Sequence, residues 1–330
     1  MSRPEVLACR GEVDLGLSMR QVVLAAALAA VAALIAAWRR LRPPNEPAPA
    51  GPAADGAGFI EVDGAAYHAR IVGDGPPIVF LHGFLSTAGV WDPVIDRLGP
   101  DYRSVAVDLP GFGRSAKGAS VPAGVWGRAE WLRALLDVLR LDAVTLVGAS
   151  MGGQTTLAFA NRYPARARNL VLIAPFAREP DPYPARDAWT WPFVVWLFER
   201  SMFSRRWLAW RQRQQMTRPH RLPRGRIDEL FRQTQTPGFL EGIRDGYIRP
   251  PVDDLRRHLP GVRAPVVVLW GAGDHTLSVE LSREVADRVP SGRLRVIAGA
   301  GHSVQLDEPE LVARIIQSAI DDVDSAGPAG

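Results

Sequence analysis

Val144-Thr145-Leu146-Val147-Gly148-Ala149-Ser150-Met151-Gly152-Gly153 leads directly into Thr155-Thr156-Leu157-Ala158-Phe159-Ala160. The first four residues are apolar or β-branched and read as a buried strand. The last six read as a helix. The residues between them are small, so the chain passes from strand to helix in a tight turn. Such a turn lifts the residue at its apex, Ser150, above the end of the strand. Gly148 and Gly152 let the backbones come close enough for it. The amide of Met151 then points to where a negative oxygen could form.

Outward from this turn the same alternation continues. Short β-rich runs recur at Ile78–Leu81, Ser104–Val107, Leu170–Ile173, Val266–Trp270 and Leu294–Ile297. Most are continuously apolar, as expected of strands covered by helices on both faces. Upstream, Phe59–Val62 and Tyr67–Val72 flank Asp63-Gly64 and read as a hairpin. Helical patterns lie between the runs. Trp126–Leu139 puts Trp131, Leu132, Leu135, Leu136 and Leu139 on one face, and Val279–Val289 and Pro309–Ile320 follow the same period. The expected class is α/β, with a doubly wound, mainly parallel sheet. No internal repeat is present.

The alternation breaks between Ala174 and Arg263, where no convincing strand occurs. We read residues 176–262 as a helical cap inserted after the sixth strand, with a core over 59–175 and 263–320 and a flexible tail over 321–330. Trp189, Trp191 and Trp196 are expected to line a substrate pocket. From Arg200 to Arg226 there are arginines and no acids. That tract is a solvated helical face or, joined with the tryptophans, a face that docks on an anionic membrane surface.

The 330 residues suffice for one large domain with an insertion, and the 47% apolar content reads as globular. A net charge of +4 does not argue for nucleic acid, and no nucleic-acid-binding motif is found. Cys9 is the only cysteine, which excludes an internal disulfide and argues against a thiol site. Residues 1–42 form a separate segment. Within it Val22–Trp38 is an uninterrupted apolar run, preceded by Arg20 and followed by Arg39, Arg40 and Arg42. At ~1.5 Å per residue the run spans roughly 25 Å. It reads as a single membrane anchor, ahead of a cleaved secretory signal or an Ala-rich soluble helix. A signal is disfavoured because Arg39-Arg40-Leu41-Arg42 stands where a small-x-small site would be. The positive-inside bias favours a cytoplasmic catalytic domain. Met19 reads as an alternative start, and residues 43–58 as a Pro/Ala/Gly-rich linker.

A serine hydroxyl needs an oriented base to become a nucleophile. Val266–Trp270 ends in Gly271-Ala272-Gly273-Asp274, and Leu294–Ile297 ends in Gly299-Ala300-Gly301-His302. Asp274 and His302 are therefore expected at the carboxyl edge of the sheet, the edge that also carries Ser150. The order Ser, Asp, His is the order this turn motif calls for. Ile78–Leu81 runs into His82-Gly83-Phe84, so the Phe84 N–H can join that of Met151 around an oxyanion.

With these residues in place the chain resembles the α/β-hydrolase superfamily, in its lid-bearing lipase, esterase and C–C-bond-hydrolase branch. The resemblance is carried by His82-Gly83-Phe84, Asp108-Leu109-Pro110-Gly111-Phe112-Gly113-Arg114-Ser115, Gly148 to Gly153, Gly273-Asp274 and Gly301-His302, in family order over roughly residues 59–320. It implies Ser150 as nucleophile, His302 as general base and acid, Asp274 as orienting carboxylate, and Phe84 and Met151 as oxyanion donors. Family members that act on haloalkanes and epoxides carry aspartate at the elbow, where this chain has Ser150. Bland alternatives are a plain turn serine at 150, a helix N-cap at Asp274 and a solvated loop histidine at 302. Asp181 lacks a strand end behind it, so it is a weaker candidate acid. His82 and the Asp108–Ser115 turn are expected to be structural, and His275 to line the entrance. His68, His220 and His258 show no ligand spacing, so no metal is expected, and a serine mechanism needs no cofactor. The expected activity is hydrolysis of apolar or lipid-like carboxylic esters. The other readings are C–C bond hydrolysis, acyl transfer or perhydrolysis, and a non-catalytic membrane-tethered binding protein.

Overall fold

The computed structural model describes residues 57–177, 203–248, 250 and 254–326. The sequence Asp63-Gly64 opens the architecture. Both residues adopt positive φ, 49° and 76°, as a tight two-residue hairpin requires. They join β1 (Ala57–Val62) to β2 (Ala65–Val72) as an antiparallel pair. Six more strands follow: β3 (Pro77–Leu81), β4 (Arg103–Val107), β5 (Val144–Ala149), β6 (Ala167–Ile173), β7 (Val266–Gly271) and β8 (Gly292–Ile297). The sheet order is β1-β2-β4-β3-β5-β6-β7-β8. β2 meets β4 antiparallel, and every pairing from β4 to β8 is parallel.

Two apolar layers sandwich the sheet, because successive strand side chains point to opposite faces. Val79 and Leu81 of β3 pack with α2 (Gly124–Val138) and α3 (Met151–Arg162), and with Val285 and Ala286 of α7 (Val279–Arg288). Ile78 and Phe80 pack on the other face with α1 (Asp92–Leu98) and α9 (Pro309–Ala326). Both faces of β3 and β5 are buried, which accounts for their unbroken apolar sequence. β8 departs from that expectation. It lies at the sheet edge, with Arg293, Arg295 and Val296 exposed.

The segment between β6 and β7 contains no strand among its described residues. It holds α4 (Arg205–Gln214), α5 (Arg226–Gln235) and α6 (Phe239–Ile243), the last continued by a wider turn over Arg244–Ile248. The short helix α8 (Val304–Asp307) precedes α9. Two boundaries move from where the sequence put them. Ala57 and Gly58 belong to β1 rather than to the linker, since they pair with Arg70 and Ala69. Residues 321–326 are not a tail; the α9 helix continues through them. Residues 22–38 and Trp189, Trp191 and Trp196 lie outside the described residues.

Candidate active site

The turn at Ser150 is built from close backbone approaches. Ser150 has φ 51° and ψ −114°, a conformation that costs a non-glycine residue about 1–3 kcal/mol. Two backbone bonds hold it there. Its N–H donates to Ile173 O at 2.8 Å, and Gln154 N–H donates to its carbonyl at 3.0 Å. A Cβ at Gly152 would stand 2.2 Å from the Leu81 carbonyl oxygen, and one at Gly148 would stand 2.7 Å from that of Gly152. Glycine is therefore required by space at both positions. Ser150 caps the N-terminal end of α3, so the Met151 amide has no intrahelical partner.

The Gly83-Phe84 loop faces this turn. A Cβ at Gly83 would lie 3.3 Å from Ser150 Cβ. The loop is fixed by His82, which is fully buried. Leu109 N–H donates to His82 Nε2 at 2.9 Å. The ring proton therefore sits on Nδ1, which donates to the Gly83 carbonyl at 2.8 Å. Burial pushes the His82 pKa down to about 4, so the ring is neutral and both bonds persist at neutral pH. His82 is thus the structural support that the sequence indicated. The Phe84 ring packs edge-on against Phe112 and Tyr247, and its carbonyl accepts Arg211 Nη2 at 3.1 Å.

The Asp108–Ser115 turn buttresses the loop from behind. Asp108 is buried and accepts His68 Nδ1–H at 2.9 Å, Ala88 N–H at 2.7 Å and Arg114 N–H at 2.9 Å. Burial opposes ionisation, but these donors hold the carboxyl below the usual carboxylate range. Lys117 donates to the carbonyls of Gly113 and Ser115, and burial pushes its pKa down to about 8. These bonds tie the turn to β2, to the segment at Ala88 and to itself, and Asp108 does not line the cavity, so its role is structural.

At the far side of the same sheet edge, His302 Nδ1 lies 2.7 Å from Asp274 Oδ2, with the Asp274 side chain fully buried. Oδ1 of that carboxylate accepts the amides of Thr276 at 2.7 Å and Leu277 at 3.2 Å. Asp274 does not cap the following helix, since Ser278 occupies that position. With Nδ1 donating to Asp274, the tautomer this contact selects leaves Nε2 of His302 with a free lone pair. Ser150, His302, Phe84 and Met151 line one cavity of about 190 Å³. The Ser150 hydroxyl makes no hydrogen bond to His302 among the described residues. His275 is exposed and is not part of the cavity wall.

Several lining residues escaped the sequence reading. Arg128 of α2 is buried and donates to Thr155 Oγ1 at 3.1 Å and Gln154 Oε1 at 3.2 Å, with its guanidinium 4.6 Å from the Tyr247 ring centre. Gln212, Gln215 and Gln305 add amides to the wall. None belongs to a motif, and Arg128, Gln212 and Gln215 are brought in by packing of segments distant in sequence from Ser150 and His302.

Residues 76–309 match the sequence model of the family described as alpha/beta hydrolase fold. The chain belongs to the α/β-hydrolase family. This α/β hydrolase is 30% identical over 257 residues to 2-hydroxy-6-oxo-2,4-heptadienoate hydrolase of Pseudomonas putida, covering 74% of this chain and 89% of that one. It is 29% identical over 251 residues to pimeloyl-(acyl-carrier protein) methyl ester esterase of Nitrosomonas europaea, covering 74% and 96%. Its fold is similar to that of a thermophilic esterase from Thermogutta terrifontis, with a TM-score of 0.65 at 26% identity over 81% of this chain and 98% of that one. The similar α/β hydrolases thus bear the names of hydrolases acting on different bonds.

Proposed function

We propose that this α/β hydrolase cleaves carboxylic esters through an acyl-enzyme formed on Ser150. The observation that carries the reading is the 2.7 Å contact between His302 Nδ1 and Asp274 at the cavity that Ser150 also lines. Ser150 Oγ attacks the carbonyl carbon while His302 Nε2 takes its proton. The carbonyl π electrons move onto oxygen, where the amides of Phe84 and Met151 stabilise them. The carbonyl then re-forms, the ester C–O bond breaks, and His302 protonates the leaving alcohol. Water repeats the sequence on the acyl-serine and releases the acid. Asp274 holds the ring in the required tautomer and stabilises the imidazolium.

The apolar wall around Phe84, Val90, Met151, Phe176 and Leu277 supports an apolar acyl or alcohol part. In this reading Trp189, Trp191 and Trp196 of the cap extend that wall, and residues 22–38 hold the enzyme at a membrane with access to lipid-like esters. No helix among the described residues is long and apolar enough to cross a membrane. Pelleting of the full chain with membranes tests the anchor, and full recovery in the supernatant overturns it.

The decisive experiment is Ser150→Ala with a p-nitrophenyl ester and a fluorophosphonate probe. The wild-type chain is labelled and turns over; the variant folds, is not labelled and loses about 10³-fold or more in kcat. Wild-type turnover by the variant overturns the reading. A second reading is C–C bond hydrolysis, favoured by the similarity to the Pseudomonas putida hydrolase. A 2-hydroxy-6-oxo-2,4-dienoate has no ester, so its hydrolysis breaks a carbon–carbon bond. Comparing kcat/KM for such a dienoate and for p-nitrophenyl esters of graded acyl length separates the two.

A further inference from the structure

The glycines before Asp274 and His302 are required by what lies against them. A Cβ at Gly301 would stand 2.8 Å from the Gln215 carbonyl oxygen and 3.2 Å from Met216 Cα. A Cβ at Gly273 would stand 2.8 Å from Thr217 Cγ2. Both glycines make room for one short piece of the insertion, Gln215–Arg218, to lie against the two loops that carry Asp274 and His302. Met216 is buried there in the same apolar cluster as Trp270 and Ala300.

Hydrogen bonds stitch this piece down. Ser303 N–H donates to Gln215 O at 2.8 Å, and Thr217 Oγ1 donates to Gly299 O at 2.5 Å. Asp307 joins the two sides. It is fully buried, and its carboxylate accepts Gly301 N–H at 2.8 Å from the histidine loop. The same carboxylate accepts Thr217 N–H at 3.0 Å and Arg218 N–H at 2.8 Å from the insertion. Its carbonyl accepts the guanidinium groups of Arg218 at 3.1 Å and Arg221 at 2.6 Å. A buried carboxylate spending its lone pairs on three main-chain amides fixes backbone rather than side chains.

We propose that Asp307 is a positioning residue, which locks the His302 loop to the Gln215–Arg218 segment so that the imidazole is placed only while the insertion is seated. This rests on the reading of His302 as the catalytic base. Among the described residues Asp307 makes no hydrogen bond to Ser150, to Asp274 or to the His302 ring, so it acts through the backbone of Gly301. In Asp307→Asn an amide NH₂ would replace one carboxylate oxygen. Either oxygen faces a main-chain N–H, so donor would meet donor and the loop would shift.

The test uses the full chain with Asp307→Asn and, as a variant at an exposed residue, Thr217→Val, which removes only the bond to Gly299. Steady-state kinetics on a p-nitrophenyl ester are measured together with the low-field proton resonance of the His302 Nδ1–H bonded to Asp274. That resonance is identified by its loss in Asp274→Asn. We expect kcat to fall on the order of 10²-fold in Asp307→Asn and about 3- to 10-fold in Thr217→Val, with KM nearly unchanged and the resonance shifted in both. A folded Asp307→Asn with wild-type kcat and resonance overturns the proposal. So does a loss of kcat with an unshifted resonance in both variants, since that is what a merely structural residue produces. If Asp307→Asn does not fold, Thr217→Val decides. A wild-type chain inactive on every ester defeats the ester-hydrolase reading alone, and the resonance then decides the role of Asp307.

Discussion

Asp274 binds His302 with one carboxylate oxygen, at 2.7 Å, and the start of its own following turn with the other. The second set of bonds, from the amides of Thr276 and Leu277, prevents the carboxylate from rotating away from the imidazole. Asp274→Asn keeps the shape but presents an amide to Nδ1–H and favours the wrong tautomer. We expect kcat to fall roughly 10³- to 10⁴-fold with KM little changed, measured on a p-nitrophenyl ester. Turnover near the wild-type level would move the orienting acid elsewhere.

Gly152 and Gly83 separate folding from chemistry. An alanine methyl at 152 meets the carbonyl oxygens of Leu81 at 2.2 Å and His82 at 2.7 Å, which are main-chain atoms unable to yield. Gly152→Ala is expected to destabilise the protein by about 3 kcal/mol or more, read by urea unfolding. At 83 the methyl meets Ser150 Cβ at 3.3 Å and its Oγ at 4.0 Å. Gly83→Ala is expected to fold normally and lose on the order of 10-fold in kcat by displacing the hydroxyl. The reverse pattern would contradict this account of the turn.

Stability should fall in acid through His82. Its pKa is about 4 in the folded protein because burial disfavours the charged ring, against about 6.5 in the unfolded chain. Between these values the unfolded chain binds the extra proton, so the unfolding free energy falls as pH drops from about 6.5 to about 4. Above that window the contribution is complete, and below it no more is lost. The full loss is about 3 kcal/mol. Urea titrations at stepped pH check this, and His82→Asn should flatten the slope inside the window. An unchanged slope in that variant would assign it to other groups.

Arg226, at the start of α5, is a buried tie to the loop after Phe84. Its guanidinium donates to Ser86 Oγ at 2.6 Å, to Glu229 Oε2 at 2.8 Å and to Thr87 Oγ1. Thr87 in turn donates to Glu229 Oε1 at 2.6 Å. Glu229 is 38% exposed, so water compensates part of what it would lose. Arg226→Met is expected to lower the unfolding free energy by about 1–3 kcal/mol, measured in urea. A change within about 0.5 kcal/mol would show that the tie is energetically idle.

Much of this was legible in the chain. Runs of apolar and β-branched residues marked the central strands, because a strand buried on both faces is mostly apolar; Val144–Val147 and Val266–Trp270 extend by one or two residues at most. The positions of Ser150, Asp274 and His302 followed from strand ends and glycine spacing. Asp307 did not, because an acid before a proline-led helix looks like ordinary helix-start chemistry. Its partners at 217 and 218 lie some ninety residues away in sequence. Arg128 falls inside the helical pattern Trp126–Leu139, where nothing local distinguishes an arginine that faces a cavity from one that faces water. The short helix Asp92–Leu98 also went unread, having too few turns for a period to register.

The way Gln215–Arg218 lies against Gly273 and Gly301 bears on how this enzyme can be re-engineered. A chimaera that exchanged everything between β6 and β7 for a relative's sequence would import new substrate contacts. It would also replace the segment that supplies two of the three main-chain donors to Asp307, and the Met216 side chain that is buried in one apolar cluster with Ala300. The splice points that respect the molecule fall around residues 215–221, so that the strip from Gln215 to Arg221 stays native while the helices on either side are redesigned.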